Sequence, residues 1–192
     1  MIAPITSRYE FTDNNEAIID VSVHNVESLY SNFDRTAPYS KKDLDEELVD
    51  YLVDSIKEIR NNKFIIRISL SHAPDKTLID RVKKSINTYY AYLKEVEIRR
   101  IKEMFKRSSI LFLVGLVLLA LAIEVTRRLT VEHGVLTEVF AQGLTVAAWV
   151  SLWEAIANLF LEWGPHQKNI SLYNKLIDAP VVFRYLEYTT PT

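Results

Sequence analysis

Apolar and polar positions divide the chain into two regimes. Up to Arg107 the apolar residues come in short periodic sets, and from Ser108 they fuse into long runs. Over 17–24, Ile19, Val21 and Val23 alternate with Asp20, Ser22 and His24, the period-two pattern of a half-buried strand. Pro38 breaks the chain, and Ser40-Lys-Lys-Asp43 has the spacing of a capping box that opens a helix. Leu44, Leu48, Tyr51, Leu52, Ser55, Ile56 and Ile59 follow at helical intervals, and Asn61-Asn62 ends that helix. A second strand spans 64–70, with Phe64, Ile66, Ile68 and Leu70 on one face. Pro74 and Asp75 then open a long helix over 76–107. Its residues Leu78, Val82, Ile86, Tyr89, Leu93 and Val96 form a heptad-like seam that shifts toward Ile98, Ile101 and Phe105 at Arg100. That seam serves two readings, packing on the sheet and forming a helical stalk.

The run 108–123 carries no charge. With Glu124, Val125 and Thr126 it gives roughly 19 residues, or about 28 Å of helix, enough to cross a bilayer. A second run covers 139–163. Together they predict a transmembrane hairpin.

The pattern therefore predicts an α+β membrane protein: a small cytoplasmic βαβ-type domain (1–75), a helical stalk (76–107), a first membrane helix (108–126), an external loop (127–138), a second membrane helix (139–163) and a cytoplasmic C-terminal segment (164–192). Two strands make a thin sheet. Further strands are available from 7–11, from 181–188, or from a neighbouring subunit.

Charge sets the orientation. Lys94, Arg99, Arg100, Lys102, Lys106 and Arg107 precede the first membrane run, whereas the loop holds Arg127 and Arg128 against Glu132 and Glu138. The positive-inside rule then places both termini in the cytoplasm of a cell inner (plasma) membrane. The N-terminus lacks the basic and apolar regions of a secretory signal, so the first apolar helix is expected to act as its own insertion signal. A net charge of −2 argues against a nucleic-acid partner. The absence of cysteine excludes disulfides, thiolate metal sites and cysteine nucleophiles.

The richest chemistry lies in the second run. At ~100° per residue, Ser151, Glu154, Asn158 and Glu162 share one stripe, continued outward by Ala147, Leu144 and Phe140. A carboxylate inside an apolar span is costly and faces a bundle interior or a watery cavity. One reading makes the stripe a pore lining, with Glu154 as a cation-attracting ring and Phe140 and Leu144 as an outer constriction. Another makes it a helix–helix interface in which Glu154 bonds Asn158 or a second helix, and a third makes it a proton or ion relay. Gly143, Ala147, Ala148 and Ser151 are small enough to permit tight packing. Trp149 and Trp153 suit lipid or a neighbouring helix, and Trp163 suits the interfacial belt. Glu124, with Arg127 and Arg128 following at helical spacing, reads as a local ion pair or as an external acidic site.

Other chemistry is thin. His24, His72, His133 and His166 show no metal-ligand spacing, and no metal or cofactor is expected. The acidic run Asp43, Asp45, Glu46, Glu47 and Asp50 lacks the glycine of a calcium loop. The 4 glycines form no phosphate-binding loop, and no nucleophile elbow or triad motif stands out. An enzyme is not expected.

Two stretches, SINTYYAYLKEVEIRRIKEMFKRSSILFLVGLVLLAL and GLTVAAWVSLWEAIANLFLEWGP, resemble a widespread group of small prokaryotic two-helix membrane proteins with a cytoplasmic α/β N-terminal part. The likeness covers roughly 40–175 and rests on the glycine opening the second helix, Trp149, Trp153 and Glu162-Trp163. It implies a topology and no activity. In outline the chain is also similar to the mitochondrial calcium uniporter, but that family's W-D-x-x-E-P signature is replaced here by W-V-S-L-W-E-A. The expected function is a homo-oligomeric cation channel in the lipid bilayer. The alternative is a membrane-anchored scaffold or sensor whose cytoplasmic domain binds a protein partner.

Overall fold

The computed structural model describes residues 8–34, 36–60, 62–72, 74–129 and 135–185. It is a mixed α and β chain with two compact units. The first takes residues up to Glu95 together with those from Ser171 onward, and the second is Val96–Ile170.

The first unit is built on a four-stranded sheet in the order β1 (Glu10–Phe11), β2 (Ala17–Val23), β3 (Phe64–Leu70), β4 (Val181–Tyr185). β1 is antiparallel to β2, while β2, β3 and β4 run parallel. Both extra strands thus come from the chain itself, one from each end. The β1–β2 turn closes at Asn15, which adopts φ 60° and donates its N–H to the Thr12 carbonyl at 2.8 Å. Asparagine tolerates that left-handed conformation better than most residues.

The alternating strand residues do what their spacing predicts. Ile19, Ile66, Ile68 and Leu70 are buried on one face, against Leu52, Ile56 and Ile59 of α1 (Glu46–Ile59) and Val82, Ile86 and Tyr90 of α2 (Lys76–Leu129). Leu176, from the end of α3 (Val135–Ile177), joins the same core. The early α2 seam therefore packs in this core. Tyr90 stacks on Tyr173 with ring centroids 6.3 Å apart, and burial raises its phenol pKa. Burial likewise pushes Tyr30 and Tyr89 up to about 12.

One local expectation is corrected. Ser40 lies in a short 3₁₀ turn, Tyr39–Lys41, and caps nothing. Asp45 is the N-cap of α1, its carboxylate accepting from the Glu47 and Leu48 N–H groups at 3.0 and 3.4 Å. Both positions offer a capping side chain, but the chain stays extended through Lys42 because Leu44 pairs with Tyr30 and is buried.

α2 is continuous from Lys76 to Leu129, with no break between Tyr92 and Ser108. The expected stalk is thus helical throughout, and its residues up to Glu95 belong to the first unit. α3 runs past the apolar segment to Ile177 with Pro165 inside it. Proline lacks an N–H, so the Leu161 carbonyl loses its helical partner there. Both helices are long and apolar enough to cross a membrane, with mean hydropathy 2.5 and 1.5 in their most apolar stretches. Only 11% of either stretch is buried, unlike the core helix of a soluble protein. Residues 130–134 of the expected external loop, including Glu132 and His133, lie outside the described residues.

Candidate functional site

In the second unit α2 and α3 pack through small residues. Ser108 and Ala122 of α2 and Ala141, Ala148, Leu152 and Ala155 of α3 are buried, and so is Gly115. A Cβ added at Gly115 would stand 2.7 Å from Leu152 Cγ and 3.2 Å from the Ala148 carbonyl oxygen. Only a missing side chain lets α3 come this close. Of the small residues the sequence singled out, Ala148 alone is buried: Ser151 is half-buried, and Gly143 and Ala147 are exposed.

The polar stripe therefore stays out of this seam. Ser151 donates its hydroxyl to the Ala147 carbonyl at 3.0 Å on its own helix. Asn158 is half-buried, and Glu154 and Glu162 are exposed. Among the described residues no hydrogen bond or ion pair holds Glu154, and the bond to Asn158 that one of the alternative readings offered is not made. Instead Glu154 lines a cleft of about 350 Å³ with Glu103, Lys106, Arg107, Ile110 and Leu111. The antiparallel register thus brings Glu154 level with the basic end of the uncharged α2 run. Phe140 is 64% exposed and Leu144 half-buried, farther along α3 on the same flank. Glu124 is half-buried and Arg127 exposed, each is engaged in an interaction, and the Arg128 side chain lies outside the described residues.

Sequence reasoning missed a buried polar cluster in the same unit. The Glu97 side chain is 5% exposed. Its Oε2 lies 2.5 Å from His166 Nδ1, and its Oε1 accepts from Arg100 at 3.3 Å and from Asn169 Nδ2 at 3.4 Å. A hydrogen bond thus joins the His166 imidazole to the Glu97 carboxyl group across the two helices. His166 and Asn169 lie on α3 within a turn of Pro165. The apolar seam read from the sequence passes through Val96 rather than Glu97, and nothing local marks the position.

Two further groupings belong to the first unit. Arg67, in the centre of the sheet, bonds Asp20 at 2.5 and 2.8 Å and Glu10 at 2.6 Å. These hydrogen bonds, the Asp20 pair first, raise the guanidinium pKa further. His24 and His72, just beyond the parallel ends of β2 and β3, meet edge to face with centroids 6.2 Å apart. No group of three metal-ligating side chains forms among the described residues.

Among known proteins no family model, no curated protein and no solved structure matches the chain.

Proposed function

We propose that the chain is a homo-oligomeric integral membrane protein of the cell inner membrane. The hairpin of α2 and α3 crosses the bilayer, the α/β unit stands in the cytoplasm, and the stripe of α3 lines a cation path. The observation that carries this reading is the position of the stripe outside the helix–helix seam. A carboxylate that were merely glue would be satisfied within the hairpin, whereas Glu154 is exposed and unpaired among the described residues. A ring of such carboxylates with low-dielectric walls concentrates cations. Lys106 and Arg107 share the Glu154 cleft with Glu103, so its charge is close to balanced. Cation preference then rests on Glu162 as well as Glu154.

Ion flux through the purified chain in liposomes tests this. Glu154→Gln is expected to lower cation flux several-fold with assembly unchanged. No flux from the wild type across voltage, tension and pH overturns the path. The second reading, a membrane-anchored scaffold, is favoured by the outer face of the sheet. Asp20, Val182 and Arg184 are exposed there, a surface for a cytoplasmic protein partner.

A further inference from the structure

The cleft beside Glu154 holds charges of both signs that do not pair. Glu103, Lys106 and Arg107 of α2 and Glu154 of α3 line it, with Ile110 and Leu111 beyond them, and its volume is about 350 Å³. Small-molecule sites run from about 300 to 1,000 Å³. All four charged residues are exposed. Lys106 and Arg107 follow Glu103 at the three- and four-residue spacing at which helical side chains meet. Yet among the described residues no hydrogen bond or ion pair engages any of the four side chains.

We propose that this cleft binds the headgroup of a zwitterionic aminophospholipid, phosphatidylethanolamine. The inference rests on the membrane reading above and not on the cation path. Two cations and two carboxylates match a ligand with one anionic phosphodiester and one ammonium. Lys106 and Arg107 hold the phosphate oxygens, and Glu103 and Glu154 accept from the ammonium. Depth favours a lipid over a soluble phosphodiester. Arg107 immediately precedes the uncharged run of α2. The His166–Glu97 contact fixes the antiparallel register, which sets Glu154 level with the start of that run. The charges therefore stand where headgroups lie, and Ile110 and Leu111, a turn deeper, where the acyl region begins. Ile110 is 55% exposed, which leaves apolar surface for an acyl chain.

The charge balance selects among headgroups. Lysine and arginine at the end of a membrane helix snorkel toward any headgroup layer and by themselves favour anionic lipid. Here Glu103 and Glu154 oppose a headgroup of net negative charge. Phosphatidylcholine has no N–H to donate, and its quaternary ammonium is recognised by aromatic faces. No aromatic residue lines this cleft. A primary ammonium can donate to both carboxylates. It also compensates Glu154, whose charge is costly at the edge of the hydrocarbon. On the cation path, the bound ammonium competes with the passing ion for that carboxylate.

Native mass spectrometry of the full-length, delipidated chain in detergent micelles reads the bound lipid directly. Phosphatidylethanolamine, phosphatidylglycerol and phosphatidylcholine with the same acyl chains are supplied at equal concentration. The wild type is expected to retain phosphatidylethanolamine at least ~5-fold over either of the others, the worth of one well-placed ion pair. Glu103→Gln with Glu154→Gln is expected to turn the preference to phosphatidylglycerol. Lys106→Gln with Arg107→Gln is expected to lower the retention of both lipids. Equal retention of the three lipids by the wild type, a wild-type preference for phosphatidylglycerol, or a preference that neither double variant changes overturns the inference. Displacement of the bound lipid by excess soluble glycerophosphoethanolamine overturns the lipid as its source. Release of the wild type from vesicles by alkaline carbonate overturns the membrane reading, and this inference with it. Failed lipid selection in a chain that carbonate leaves in the membrane overturns this inference alone.

Discussion

Removing the imidazole of His166 strips a buried carboxylate of its shortest partner. Glu97 keeps Arg100 and Asn169, both at more than 3 Å, and neither replaces a contact of 2.5 Å. Breaking a buried pair from one side leaves an under-compensated charge, which costs about 3 kcal/mol. His166→Ala is therefore expected to lower the thermal midpoint of the detergent-solubilised chain clearly. Adding Glu97→Gln to that variant is expected to recover part of the loss, because a neutral amide tolerates the site better. A second substitution that deepens the loss would show that the cluster is not held by its charge. This cluster was illegible in the sequence for a simple reason: its members lie 69 and 72 residues apart and meet only once the hairpin has formed. Glu154 was legible as an anomaly, since a lone carboxylate in an apolar run stands out. Its neighbours Lys106 and Arg107 needed the register.

Elements were easier to read than contacts. The period of two in β2 and β3 and the helical spacing in α1 reflect which faces are buried, and those faces are the ones found in the core, except that Tyr51 of the expected α1 face is 47% exposed. The start of α1 was misplaced because Ser40 and Asp45 are both competent caps. Tertiary pairing of Leu44 with Tyr30 selects the later one. Between α2 and α3 the deciding residue is Gly115, which carries no side chain to announce a role. Gly115→Ala is expected to destabilise the hairpin by about 1–3 kcal/mol through overpacking. Leu152→Ala in the same chain should return much of that, since the tightest contact is with the Leu152 side chain. Thermal unfolding of the two single variants and the double variant measures the coupling. Additive losses would mean that Gly115 does not set the approach of the helices. The continuity of α2 was legible from the absence of any breaker after Asp75. The run of α3 through Pro165 was not, because proline normally marks a helix end.

At the scale of the whole molecule, the chain leaves the α/β unit along α2 and returns to it along α3. β4 then joins the sheet beside β3. This closure was half visible in sequence: 181–188 was a candidate strand, but its partner could not be chosen without the fold. Two apolar helices joined by a short connection predict a membrane hairpin with both ends on one side, and every functional reading above depends on it. The direct test is accessibility of single cysteines to a membrane-impermeant thiol reagent. Lys41→Cys in the α/β unit is compared with His133→Cys in the connection, using sealed vesicles of known orientation. The account predicts that Lys41→Cys labels only from the cytoplasmic face and His133→Cys only from the opposite one. Labelling of both positions from the same face would contradict it.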